Sequence, residues 1–216
     1  MWESIKGRYL EEMAESGYSG DSIGAFHKFT VPYLLRQANT KTDDIVLDIG
    51  AAHGHAGISA YSAGYRNVQV VDYDDSRFEM FGEKYGFECH RVDLLNDSLP
   101  FEDNSVGAIL FFETIEHLLD PTNAVTEIHR VLKPGGTAFI TTPDFAQVGS
   151  YFYEDPTHVR PFIKQGMERL LRIVGFERME VKRWGTRYGL ARLALNERFP
   201  ALNFIGTHLI AIATKT

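Results

Sequence analysis

The stretch Val46–Gly54, VLDIGAAHG, decides how this chain is read. An apolar run ends in an acid, Asp48, and passes into a turn of small residues at Gly50, Ala52 and Gly54 that opens a helix. The segment Val70–Asp75, VVDYDD, repeats the idea: an apolar run closed by the acid Asp72, eighteen residues after Gly54. A small-residue loop at the end of one strand, with a carboxylate at the tip of the next, is how a parallel sheet presents a nucleoside-bearing ligand. Two rival readings fail on spacing. A dinucleotide fingerprint G-x-G-x-x-G counted from Gly50 meets Ala52 and His55 where glycines are needed. The phosphate loop G-x-x-x-x-G-K-[ST] occurs nowhere in the chain. What remains is D-x-G-x-x-x-G, made of Asp48, Gly50 and Gly54.

Outward from this loop, elements alternate. Strands are expected at 45–49, 68–71, 88–92, 106–112, 137–141, 176–183 and 204–213. Helices are expected at 55–63, 76–85, 121–132 and 163–174, several of them ended by a glycine. The N-terminal part reads as an amphipathic helix carrying Trp2, Ile5, Tyr9 and Met13, then a helix over 22–37 whose continuity Pro32 puts in question. LKPGG, 132–136, reads as the stop of the helix at 121–132. Strands alternating with helices imply crossover units and covered sheet faces. The fold class is therefore α/β: a Rossmann-like, doubly wound, seven-stranded, mostly parallel sheet, its last strand antiparallel, with helices on both faces.

Bulk properties narrow the function. A chain of 216 residues with 44% apolar content fits one domain with a full core. The expected division is 1–38 as a helical cap, 45–144 as a cofactor-binding core, and 145–203 as segments that shape an acceptor site. A net charge of −7 disfavours general nucleic-acid binding, and no apolar run reaches membrane-spanning length. With one cysteine, Cys89, and no apolar leader at the start, a cytoplasmic location is expected.

Four pieces in order then resemble the class I S-adenosylmethionine-dependent methyltransferases of the small-molecule type. VLDIGAAHG is similar to the family's first motif, and Asp72 to its ribose-binding acid. The segment 91–121, RVDLLNDSLPFEDNSVGAILFFETIEHLLDP, is similar to the stretch whose acid, here Asp93, lies near the adenine amino group. The segment 127–144, EIHRVLKPGGTAFITTPD, is similar to the turn into the fifth strand. The resemblance implies S-adenosyl-L-methionine as cofactor and S-adenosyl-L-homocysteine as product. It implies cofactor contacts from Asp48, Gly50, Ala52, Gly54, Asp72, Tyr73, Asp93, Leu94, Phe112 and Glu113. A small-residue loop allows close backbone approach, and Ala52 is tolerated there if its backbone angles are ordinary.

Methyl transfer from a sulfonium needs an aligned acceptor and, for a hydroxyl or amine, a base. Glu116, His117 and His158 are the catalytic candidates, with His117 first, since an imidazole titrates near neutrality. DPTHVRPF, 155–162, resembles a segment of family members associated with polysaccharide and sugar-containing substrates. There His158, and less so Arg160, would reach the acceptor. Between Lys182 and Arg198 five basic residues stand against Glu197, which suggests an anionic acceptor or, equally, a solvated helix face. No metal is expected: Glu113, Glu116, Asp144 and Asp155 offer oxygens, but no spacing demands an ion.

The partner expected is thus a small acceptor, sugar-containing or anionic, without nucleic acid or membrane. The aromatic N-terminal segment, with Tyr18, Phe26, His27 and Phe29, reads as a lid over the cofactor or, alternatively, an edge or homodimer contact. Two other functions stay open: a quinone- or natural-product-type methyltransferase with an aromatic acceptor, and a catalytically silent cofactor-binding partner protein.

Overall fold

The computed structural model describes residues 25–184 and 207–216, with side chains from His27. The expectations for Trp2, Ile5, Tyr9, Met13, Tyr18 and the Phe26 side chain lie outside the described residues. So do those for Arg187, Arg192, Glu197 and Arg198.

Seven strands form one sheet in the order β3-β2-β1-β4-β5-β7-β6. They are β1 (Val46–Ile49), β2 (Val68–Asp72), β3 (Glu88–Arg91), β4 (Val106–Phe112), β5 (Leu132–Pro143), β6 (Arg178–Trp184) and β7 (His208–Thr214). Five run parallel through β1–β5, and β7 is antiparallel to both β5 and β6. The α/β class and the reversed last strand are as the sequence reading expects. Among the described residues the helices are α1 (Ala25–Gln37), α2 (His55–Ser62), α3 (Phe78–Tyr85), α4 (Thr122–Val131), α5 (Phe145–Val148) and α6 (Lys164–Val174).

The central strands are buried throughout: all four residues of β1 and all seven of β4 are shielded from solvent. Such runs are apolar without alternation because helices cover both faces. Side chains still divide by the two-residue period. Leu47, Ile49, Ile109 and Phe111 join Ile128, Met167 and Leu171 from α4 and α6 on one face. Val46, Ala108, Leu110 and Phe112 join Val31, Leu34, Ala60 and Phe81 from α1, α2 and α3 on the other.

Three differences from the sequence reading have physical causes. Helix α1 runs through Pro32, the burial of Val31, Leu34 and Leu35 outweighing the lost amide donor. LKPGG is not only a helix stop: Leu132 already pairs with Val106, and the strand resumes at Thr137 opposite Ala108 after an irregularity. Two short helical pieces, α5 and a 3-10 turn at Gly149–Glu154, follow β5 and are too short to leave a periodic signal.

The reversal of β7 places a strand start on the edge where the parallel strands end. His208 pairs with Pro143 of β5 and Trp184 of β6. Trp184 and Thr207, which flank 185–206, therefore both stand at the carboxyl edge of the sheet, where ligands of open α/β sheets collect.

Candidate active site at the carboxyl edge of the sheet

The loop after β1 is held in a left-handed conformation at three positions: φ is 67° at Gly50, 45° at Ala52 and 70° at Gly54. A Cβ at Gly50 would run into the Thr114 side chain, and one at Gly54 into the Phe81 ring. Both positions thus demand glycine for space as well as for angle. Ala52 does not meet the condition of ordinary backbone angles. An L-residue there costs about 1–2 kcal/mol. Its amide donates to Asp72 Oδ2 at 2.8 Å, a charge-assisted bond that offsets the cost. Asp72 Oδ1 accepts from the Asp74 amide at 2.9 Å. Each Asp72 oxygen thereby spends one lone pair on backbone and keeps another.

Asp48 is 3% exposed, and its Oδ2 accepts from the Gly57 amide at 2.7 Å, which ties β1 to the first turn of α2. Burial pushes its carboxyl up to about 7, opposed by the Gly57 bond and helped by the nearby charge of Asp72. Asp93 accepts from Leu95 N at 3.0 Å and Asn96 Nδ2 at 2.9 Å, so its carboxylate organises the turn after β3. Leu94 packs against the core, the Tyr73 ring lies 5.3 Å from the Arg91 guanidinium, and Phe112 ends β4 with its side chain buried. The His27 ring stands 5.6 Å from that of His55 and 6.1 Å from that of Phe112, which brings α1 over the loop. Burial, reinforced by the charge of His55, lowers His27 to about 4.

A second cluster forms where β4, the loop after β5 and β7 meet. Glu113 follows β4 with φ at 47°, an angle that strains a non-glycine residue. Its amide bonds to the Thr141 carbonyl at 3.1 Å, and its carboxylate lies 3.3 Å from His208 Nε2. The Glu113 side chain is 44% exposed. Desolvation there raises its carboxyl, but the His208 hydrogen bond and charge prevail and hold it below the usual range. His208 is depressed by burial and raised more strongly by Glu113, with a net upward shift.

Glu116 is fully buried, and neither carboxylate oxygen has a hydrogen-bond partner. Burial, then the charges of Glu113 and Asp155, holds its carboxyl well above the ordinary range; the Thr142 hydroxyl eases this without meeting hydrogen-bond geometry. His117 Nδ1 lies 2.9 Å from Thr157 Oγ1 and 3.1 Å from the Thr157 carbonyl. Thr157 in turn donates to Asp155 Oδ1 at 2.6 Å. His158 Nδ1 lies 2.8 Å from the Phe152 carbonyl, and its Nε2 lies 3.9 Å from Glu116 Oε1 and 3.7 Å from Asp155 Oδ2. The two imidazole rings are 4.9 Å apart. The Glu116 carbonyl accepts from both Val159 N and Arg160 N at 3.0 Å, so the backbone clamps the two segments together.

Asp144, weighed as an oxygen donor, and Arg160, weighed for the acceptor, are occupied elsewhere. Asp144 is fully buried, receives the Arg183 Nε at 2.7 Å and caps α5 through Ala146 N. Arg160 is exposed and donates to the Leu119 carbonyl at 3.2 Å. Of the basic stretch, Lys182 pairs with Glu180 and Arg183 with Asp144.

Three residues were not singled out from the sequence. Thr114 touches Gly50 and donates to the Phe112 carbonyl at 2.8 Å. Thr157 has a local signal, because D-x-T spacing favours an Asx turn and Asp155 Oδ1 accepts the Thr157 amide at 2.8 Å. His208 has none, since only strand register brings it to Glu113.

Residues 47–140 match the family model described as a methyltransferase domain. The fold is that of a class I S-adenosylmethionine-dependent methyltransferase. The relatives that match over part of their length are named for dependence on S-adenosylmethionine. A probable S-adenosylmethionine-dependent methyltransferase of Mycolicibacterium smegmatis is 32% identical over 175 residues, 79% of this chain and 63% of that protein. One of Mycobacterium tuberculosis is 32% identical over 122 residues, 55% of this chain and 42% of that protein. The chain thus spans less than two thirds of either relative. A crystal structure of an S-adenosylmethionine-dependent methyltransferase from Archaeoglobus fulgidus superposes with a TM-score of 0.64 at 21% identity, over 87% of this chain and 94% of that one. Among the described residues no helix is long and apolar enough to cross a membrane.

Proposed function

We propose that this protein transfers a methyl group from S-adenosyl-L-methionine to a hydroxyl of a small polar acceptor, a sugar or related metabolite. The observation that carries the reading is the cradle of Gly50, Ala52 and Gly54 stitched to the Asp72 carboxylate. At two of its three positions a Cβ would collide with a neighbouring side chain, and Asp72 keeps lone pairs suited to a ribose diol. Asp48 braces the cradle from below. Tyr73, Asp93, Leu94, Phe112 and Glu113 would border the rest of the nucleoside and methionine parts. When bound, the cofactor supplies an activated methyl on a sulfonium.

The chain's own work is then to hold the acceptor in line and to take its proton. Support for a polar acceptor comes from the ionisable groups gathered at the same edge: Glu113, Glu116, His117, His158 and His208. An aromatic or sterol-like acceptor would call for an apolar lining instead. The Nδ1 bonds of His117 and His158 to carbonyl oxygens favour the tautomer with the lone pair on Nε2, the atom a general base needs. In this reading 1–38 caps the cofactor and 145–203 shapes the acceptor site within a single domain.

The test pairs calorimetry of S-adenosyl-L-homocysteine binding with product detection on a panel of sugars, sugar phosphates, hydroxy acids and phenols. Binding together with methylation of a hydroxylated, non-aromatic compound is expected. Absence of homocysteine-conjugate binding overturns the cofactor assignment, and exclusive methylation of phenols overturns the acceptor class. His117→Ala and His158→Ala should retain binding and lose turnover. If both keep full rate, neither is the base.

A further inference from the structure

We propose that Asn123 is a positioning residue for nucleobase recognition: it holds the turn 93–97 so that Asp93 accepts from the exocyclic amino group of the cofactor's purine. The proposal rests on the cofactor reading above and deepens it. Asn123 is the second residue of α4, which starts at the carboxyl edge because it follows β4. Its Nδ2 donates to the Leu94 carbonyl at 3.2 Å and to the Asp97 carbonyl at 3.1 Å. Both partners can only accept, so the amide must turn its nitrogen toward them.

The contact belongs to a pattern. Asn123, Glu127 and Arg130 recur at i, i+4 and i+7, which puts them on one stripe of the helix. Glu127 Oε2 accepts from Leu99 N at 2.8 Å, and Arg130 donates to the Leu99 carbonyl at 2.9 Å and the Phe101 carbonyl at 2.8 Å. The stripe thus fastens the backbone from Leu94 to Phe101 onto α4, with Asn123 as the member that grips the turn. Inside the turn, Asp93 N donates to Asp97 Oδ2 at 2.9 Å, and Asp97 N to the Asp93 carbonyl at 2.8 Å. What Asn123 fixes at Asp97 is therefore fixed at Asp93 as well.

The turn stands where a base would fall. Val92 N donates to the Asp72 carbonyl at 3.0 Å, so the turn begins beside the acid that suits a ribose diol. The sheet order β3-β2-β1-β4 sets this turn to one side of Asp72 and the ionisable groups after β4 to the other. A nucleoside with its ribose on Asp72 and its sulfonium toward β4 extends its base toward the turn. Leu95, 38% exposed, offers a ring face an apolar surface there. Each Asp93 oxygen accepts one bond from the turn, Oδ1 from Leu95 N and Oδ2 from Asn96 Nδ2, and keeps a further lone pair. A carboxylate held in that way matches an amino group on the purine and opposes a carbonyl at the same ring position.

The test compares, by calorimetry on the full chain, S-adenosyl-L-homocysteine with S-inosyl-L-homocysteine, which carries a carbonyl in place of the amino group. Wild type should prefer the amino compound by about 10–100-fold, the worth of one hydrogen bond to a charged group. Asn123→Ala should cut that preference by about tenfold, chiefly by weakening the adenosyl compound. Asn123→Asp keeps the shape, loses both donors and should do the same. Folding of each variant is checked by circular dichroism; if Asn123→Asp does not fold, Asn123→Ala decides. A clamp that served only the fold would weaken both ligands alike. Equal losses for the two ligands, or an undiminished preference in the folded variants, therefore overturn the proposal, as does a wild type that binds the two equally. Those results leave the cofactor reading standing. Binding of neither compound by wild type sinks that reading, and the proposal with it.

Discussion

The two halves of the carboxyl edge are built in opposite ways. On the β1–β2 side both carboxylates are hydrogen-bonded to backbone: Asp48 to Gly57 and Asp72 to Ala52 and Asp74. On the β4–β5–β7 side, Glu113 sits at a strained angle and Glu116 is buried without a hydrogen bond. The first half is a finished cradle, its backbone committed before a ligand comes. The second keeps uncompensated groups, which cost stability and are retained where chemistry or a ligand needs them. Under the proposed function the first half is a fixed donor site and the second an adaptable acceptor site.

The strongest test of the finished half is Gly50→Val. It combines a positive φ with overlap against Thr114, so it should cost about 2–5 kcal/mol of stability and abolish homocysteine-conjugate binding. Near-normal denaturation and binding would show that the loop is not committed. Next is Asp72→Ala, expected to weaken that binding by about 3 kcal/mol, on the order of a hundredfold, through lost charge-assisted bonds. Unchanged affinity by calorimetry would remove Asp72 from the site.

Asp48 gives a pH-dependent test. Its carboxyl is raised from 3.8 to about 7 in the folded chain, so between those values the unfolded state has lost a proton that the native state keeps. Stability attributable to Asp48 therefore falls as pH rises toward 7 and is level above it. From pH 5 to 7 wild type should lose about 2 kcal/mol more than Asp48→Asn, by denaturant titration at both values. Parallel losses would mean that the buried acid stays charged.

The same division explains what could be read from the sequence. The cradle is local: its acid, glycines and partner strand fall within Val46–Asp75, and continuous apolar runs such as VGAILFF betray strands covered on both faces. The acceptor side is assembled from 113–117, 155–158 and 208, and only tertiary register joins them. Glu116, His117 and His158 were legible as chemistry-bearing residues, but Thr157 behind His117 was not. Asp144 looked available for an ion because its partner Arg183 lies on another strand. Ala52 looked harmless because a residue type does not announce its φ.

The smallest effect probes the adaptable half. Glu113 is shifted down and His208 up, so the pair is fully charged between the ordinary values of the two groups, 4.5 and 6.5. Its contribution is lost as pH rises through the folded His208 value, and again as pH falls through the folded Glu113 value. With Glu113 44% exposed, solvent screens the pair, and about 0.5 kcal/mol is expected. A double-mutant cycle of Glu113→Gln and His208→Gln should show that coupling at pH 5.5 and almost none at pH 8.5. Equal coupling at both would mean that His208 holds Glu113 by shape rather than charge. The strained turn after β4 would then be as rigid as the cradle, and the contrast between the two halves would rest on Glu116 alone.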